Sequence, residues 1–220
     1  GVLAGRVSRV VLASSIDVYR AYERLVGQAH GVPDAAPLTE DAPLRTTRFP
    51  RRDEEAEDDP ALRYDKLLVE RVYADERRLT VTCLRLPFVF GPGDYRRRVQ
   101  GLLGQMRGDR DIVLSPAQAE WRSTRGYVDD VGAAIALAVV EGQDGGLFNV
   151  GDPHALATAE WIARVGRLAG WRGELVVDDA APEGLWWAHH LVVDTTRIRQ
   201  RLGFSEPVGL EAGLARTVRG

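Results

Sequence analysis

Two short β-rich runs with a helical segment between them constrain this chain more than any other feature. Arg9-Val10-Val11-Leu12-Ala13 and the run from Leu79 to Leu86 (LTVTCLRL) are apolar, β-branched and too short for helices. Strands buried on both faces of a parallel sheet read this way. The first run stops at Ser14-Ser15 and the second at the turn-rich Pro87-Phe88-Val89-Phe90-Gly91-Pro92-Gly93. Between them, Asp59-Pro60 reads as the N-cap and first-turn proline of a helix reaching about Asp75, with Leu67, Leu68, Val72 and Tyr73 on its apolar face. Strand, helix and strand in this order make a right-handed parallel crossover the default.

The rest of the chain keeps alternating. Residues 17 to 30 hold a helical turn or loop carrying Tyr19 and Tyr22, and Pro33, Pro37, Pro43 and Pro50 punctuate a long irregular stretch. Residues 51 to 59 (RRDEEAEDD) read as a solvated loop. Downstream, the pattern predicts a helix over Gln100 to Met106, a strand over Arg110 to Leu114, and an alanine-rich helix capped by Asp129 or Asp130. It continues with a strand over Leu147 to Val150 stopped by Gly151, a helix capped by Thr158 and closed by Gly170, and a strand at Leu175 to Val177. Short helices over Thr195 to Leu202 and Leu210 to Val218 finish the chain. This is the signature of an α/β protein.

Composition excludes several classes of function. A net charge of −3 and a pI near 5.9 leave no electrostatic footprint for nucleic acid. Cys83 is the single cysteine, which rules out an internal disulfide and a cysteine-based zinc site. His189 and His190 are adjacent and point apart, while His30 and His154 stand in loops, so no metal site is expected. The longest aliphatic run, Val131 to Val140, is about half a membrane span. Nothing at Gly1-Val2-Leu3 resembles a signal peptide, and a cytoplasmic protein is expected. Met106 is the one methionine, so Gly1 reads as an internal residue of a longer chain.

Lys66 is the only lysine among 29 lysines and arginines. Arginine carries a wide planar fork and lysine a compact charge on a thin stem, so a lone lysine points to a place where the fork does not fit. Its surroundings repeat a known pattern. Ser14-Ser15-Ile16-Asp17-Val18-Tyr19 resembles the S-S-x-x-V-Y strand exit of the extended short-chain dehydrogenase/reductase family, the epimerases and dehydratases of nucleotide sugars. Pro37 to Leu44 is similar to that family's P-x-x-E-x-x-P-x loop, Lys66-Leu67-Leu68-Val69-Glu70 to its K-x-x-x-E segment, and Arg85 to Pro92 to R-x-x-x-V-Y-G-P. Tyr127 to Val131, Phe148 to Gly151 and Asp194 to Gly203 resemble further signatures, in the family's order. The resemblance implies that Ser15 polarises a substrate carbonyl, that Lys66 holds the nicotinamide ribose, and that Ser14, Pro87, Phe88 and Val89 line the cofactor.

The departures matter as much. The family's general acid is a tyrosine four residues before the lysine, on the same helical face; here that position is Leu62. Tyr64 lies two residues before Lys66, about 200° around a continuous helix, so it substitutes only if the helix starts late or is irregular. Tyr19 is the other candidate acid. Phe88 and Ser123 stand where nucleotide-sugar members commonly carry asparagine and arginine, with Arg122 and Arg125 as possible replacements. Trp121, Trp186 and Trp187 suit either the substrate lobe's core or a flatter ligand, and Arg96-Arg97-Arg98 reads as a solvated run or an anion contact. No glycine-rich turn follows a first strand, as dinucleotide phosphates require.

These readings predict the C-terminal part of a Rossmann-like parallel sheet over residues 1–92 and a small mixed α/β substrate lobe over 93–220, with 127–151 returning to the sheet domain. The resemblance implies an NAD- or NADP-dependent epimerase, dehydratase or reductase with an altered acid, acting on a small molecule such as a sugar derivative. A homodimer is compatible with it. A dinucleotide-binding sensor without turnover and an inactive fragment are the alternatives.

Overall fold

The computed structural model describes residues 6–50, 63–181 and 184–220. The two β-rich runs pair as expected. Strand β1 (Arg9–Ser15) lies parallel to β2 (Thr80–Leu86), in register from Arg9 opposite Thr80 to Ser15 opposite Leu86. Strand β1 therefore runs two residues beyond its apolar stretch, carrying both serines to the carboxyl end of the sheet. Strand β6 (Gly146–Asn149) pairs parallel with the other side of β2, giving the order β1-β2-β6.

Helix α1 (Arg20–Leu25) follows a 3-10 turn at Ile16–Val18. Helix α2 (Lys66–Ala74) connects β1 and β2, and its start corrects the sequence expectation. Asp65 is the N-cap, its side chain accepting from the Leu67 and Leu68 amides. Tyr64 and Asp65 precede the helix rather than belonging to it. The Asp59-Pro60 start, the charge run at 51–59 and Leu62 lie outside the described residues.

The second half holds two further parallel pairs. Strand β3 (Phe88–Phe90) pairs with β5 (Arg125–Tyr127), and β4 (Ile112–Leu114) with β7 (Leu175–Val177). The segment expected to be only a strand exit, Phe88–Phe90, is thus a strand in its own right. Helices α3 (Arg98–Met106), α4 (Pro116–Glu120), α5 (Val128–Glu141), α6 (Thr158–Ala169), α7 (Thr196–Leu202) and α8 (Leu210–Arg219) complete the chain.

Two expected caps do other work. Asp129 and Asp130 lie inside the first turn of α5; Asp130 instead accepts from the Val208 and Gly209 amides and ties α5 to the start of α8. Thr158 is the first residue of α6, with its hydroxyl on the Trp121 carbonyl, while Glu160 accepts from the Ala157 amide.

Leu84, Val131, Ala134, Ala138, Phe148 and Ile198 pack α5 and α7 against the three-stranded sheet. A second core joins Phe90, Val99, Leu102, Ile112, Trp161, Val165 and Leu214. One close approach is at Gly213, where a Cβ would sit 2.5 Å from the Tyr127 ring. Tyr127 is 4% exposed and cannot swing into solvent without leaving the core. Gly213→Ala is therefore expected to cost about 1–3 kcal/mol of stability, read as a lower denaturant midpoint at unchanged slope.

Candidate active site

A cavity of about 310 Å³ opens at the carboxyl ends of β1 and β2, and Ser14, Ser15, Tyr64, Lys66, Pro87 and Val89 are among its walls. Ligands of open parallel sheets bind at this end of the strands.

Each polar wall residue is placed by a local cause. Ser15 ends β1 and caps the 3-10 turn, its Oγ accepting from the Asp17 amide at 3.2 Å. That bond uses a lone pair and leaves the Ser15 O–H to donate into the cavity. Lys66 opens α2, and its Nζ reaches back to the Ala13 carbonyl at 2.9 Å. An ammonium has three N–H donors, so two remain for a ligand.

Tyr64 is brought to the cavity because α2 starts late. The 200° argument assumes a continuous helix through Tyr64 and Lys66, and the Asp65 cap breaks it. What pins Asp65 is distant in sequence. The fully buried Arg45 pairs with its carboxylate and also donates to the Asp17 main-chain carbonyl at 3.0 Å, while the Phe49 amide donates to Asp65 Oδ2. Burial alone would raise the Asp65 carboxyl; Arg45 and the Phe49 amide outweigh it and hold it below its ordinary value. The Tyr64 hydroxyl donates to Asp17 Oδ2 at 2.7 Å, and Lys66 Nζ stands 5.9 Å from the Tyr64 ring centroid.

Other expected site residues stand elsewhere or are otherwise engaged. Ser14 lines the cavity, but its hydroxyl donates to Glu70, which accepts two bonds from Arg85 at 3.1 and 2.8 Å. Tyr19 is fully buried away from the cavity, donating to Asn149 Oδ1 at 2.6 Å beneath the Arg85 guanidinium. Burial pushes its phenol above the ordinary value despite the nearby Arg85. Pro87 and Val89 line the cavity, whereas the Phe88 ring packs edge to face against Trp121.

Arg122 lies outside this cavity, bonded to the Ala155 carbonyl and Glu160. Arg125 is half-buried over the Trp161 ring, at 4.4 Å, and bonds the Ser123 and Leu156 carbonyls. Burial, with repulsion from Arg98, brings its guanidinium down to about 10. Of the three consecutive arginines, Arg98 joins the cavity wall, paired with Asp94 at 2.7 Å. Trp121 and Trp187 pack edge to face in a core, and Trp186 is 57% exposed.

Sequence reasoning missed Asp17 as a neighbour of the site, and it named Arg98 only within the arginine run, as a solvated run or an anion contact. The signal for Asp17 was an acidic residue two positions after Ser15 inside the strand exit, where a turn carries it beneath the cavity.

Residues 50–151 match the model of the NAD dependent epimerase/dehydratase family. No curated protein matches the chain. Among solved structures, it is similar to a UDP-glucose 4-epimerase from Thermotoga maritima determined with UDP-glucose, at 22% identity and a TM-score of 0.67 over 97% of this chain and 63% of that one. A UDP-N-acetylglucosamine 4-epimerase from Methanobrevibacter ruminantium gives 17% identity and 0.67 over 97% and 63%. A dTDP-glucose 4,6-dehydratase from Streptomyces venezuelae, with NAD bound, gives 21% and 0.64 over 96% and 59%. These likenesses show a shared fold, and the chain spans about three fifths of each relative.

Proposed function

We propose that this chain, whose residues 50–151 match the NAD dependent epimerase/dehydratase family model, is a member of that family and the nicotinamide and substrate end of an oxidoreductase acting on a hydroxyl-bearing carbon of a nucleotide-linked sugar. One observation carries this reading: Ser15, Tyr64 and Lys66 line a single cavity at the carboxyl end of the sheet. The residues present fit a nicotinamide riboside. Lys66 has donors to spare for ribose hydroxyls, and Pro87 and Val89 offer an apolar wall for a flat ring. Bound NAD or NADP would take up and return a hydride.

The chain's own groups do the rest. Ser15 donates to the substrate oxygen and stabilises charge as it develops there. Tyr64 exchanges a proton with the same oxygen, and Lys66 favours the state of Tyr64 that carries negative charge. Arg98, on the cavity wall, gives an anionic substrate group a cation, whereas Arg122 faces a different groove and Arg125 lies over Trp161 outside the wall. On this reading residues up to 92, with 127–151, form the cofactor side, and the remainder of 93–220 the substrate lobe.

The test uses the full native gene product. UDP-glucose or dTDP-glucose supplied with NAD should be converted to a new sugar nucleotide, followed by proton NMR. Lys66→Met should weaken NADH binding about 10- to 100-fold, since a hydrogen bond from a charged donor contributes about 1.5–3 kcal/mol. Unchanged NADH affinity in Lys66→Met, or no conversion of either sugar, would count against the assignment.

A further inference from the structure

We infer that Asp17 is the terminal proton acceptor of the site, reached from the cavity through the Tyr64 hydroxyl. This rests on the oxidoreductase reading above and adds to it a residue that never touches the substrate.

The placement is specific. Asp17 is 3% exposed and does not line the cavity, whereas Tyr64 does. The Tyr64 hydroxyl stands between the two, donating to Asp17 Oδ2 at 2.7 Å. Asp17 is held from both sides of its own backbone: its amide donates to Ser15 Oγ, and its carbonyl accepts from Arg45. The same Arg45 pairs with Asp65, the residue next to Tyr64. One buried guanidinium thus fixes the relative position of donor and acceptor.

A tyrosine in this arrangement is a poor base by itself, because an unperturbed phenol ionises near pH ~10. Its proton already lies on the line to a carboxylate. When the substrate alcohol is oxidised, the substrate O–H bond breaks and its proton joins Tyr64 Oη. The original Tyr64 proton passes to Asp17 Oδ2, and the hydride leaves the carbinol carbon for oxidised nicotinamide. Two electrons leave the substrate with the hydride, its hydroxyl proton stays on Tyr64, and Asp17 gains the proton that Tyr64 gives up. The reverse sequence protonates a reduced carbonyl. Among the described residues, charged or titratable groups near the pair include Asp65 at the N-cap of α2, Lys66 on α2, Arg45 behind Asp17, and Asp94, Tyr95 and Arg98 around the cavity. Lys66 favours tyrosinate, and Asp17 favours the protonated phenol.

The experiment uses the full native gene product, as wild type, Asp17→Asn, Asp17→Glu and Tyr64→Phe. Tyrosinate absorbance titrated against pH, with the Tyr64→Phe curve subtracted, isolates the Tyr64 phenol without any cofactor. Asp17→Asn is expected to lower that midpoint by about one pH unit or more, because the adjacent anion is gone. It should also reduce turnover about 10²- to 10⁴-fold at unchanged NADH affinity, with partial recovery in Asp17→Glu. In the wild type, turnover in mixtures of light and heavy water should fall along a bowed line, as two protons in flight require. An unmoved Tyr64 midpoint, full turnover in Asp17→Asn, or a straight line in the mixed solvents overturns the relay while leaving the oxidoreductase reading intact. A wild type without redox turnover on any nucleotide sugar overturns both.

Discussion

Arg85→Met is expected to destabilise the fold by about 3–5 kcal/mol, the range for removing one partner of a buried ion pair. Arg85 is 2% exposed, and its guanidinium is the hub of the polar layer between the sheet and α2. It bonds Glu70 twice, donates to the Glu40 carbonyl and covers the Tyr19 ring. Burial works against its charge, yet Glu70 more than restores it and holds the guanidinium above its ordinary value. Methionine would keep most of the apolar stem and none of the donors. Glu70, its side chain 11% exposed, would then lose both guanidinium bonds and keep the bond from the Ser14 hydroxyl. For a chain of this size the loss corresponds to a melting temperature lower by roughly 6–20 °C. Arg78→Met is the control. Arg78 pairs with Glu76 with its own side chain 71% exposed, and its loss should leave the melting temperature unchanged. Equal melting of wild type and Arg85→Met would show that this layer does not anchor α2.

Much of the frame could be read from residue order. The strands at β1 and β2, the crossover between them and the closing helices follow from local pattern: β-branched runs, turn residues at their ends, and glycines in left-handed caps at Gly170 and Gly203. The start of α2 was not legible in that way. Asp59-Pro60 carries a good local cap signal, but the cap is Asp65, chosen by a buried arginine 20 positions upstream. Tyr64 becomes a site residue only through that choice. Tyr19 shows the opposite failure, since its place in the motif suggested chemistry and its burial against Asn149 gives it a structural task. Ser14 and Ser15 are adjacent and identical in type, yet strand alternation sends one hydroxyl to Glu70 and leaves the other at the cavity. Arg125 reads as a replacement for a missing anion contact; the fold lays it over Trp161, outside the cavity wall. Motif order found the cavity, and long-range ion pairs decided which residues meet in it.

Tyr64→Phe is the second large effect. It deletes one hydroxyl and keeps the ring against Lys66, so the cavity's shape and the lysine's position stay as they are. Turnover should fall about 10²- to 10⁴-fold, or about 3–5 kcal/mol of barrier, as expected for removal of a general acid–base group. NADH affinity should hold, because Lys66, the residue proposed to hold the ribose, is unchanged. A dinucleotide-binding sensor without turnover would show the same affinity in both proteins and no reaction in either. An inactive fragment would bind no dinucleotide at all.

The most direct measurement is the nicotinamide absorbance that appears when NAD-loaded native gene product is mixed with a nucleotide sugar, recorded for the wild type and for Tyr64→Phe side by side. The account predicts a rapid rise in the wild type and one slower by at least about a hundredfold in Tyr64→Phe, at equal cofactor loading. Equal rates in the two proteins would contradict it, since the proton would then be moving through a group other than Tyr64.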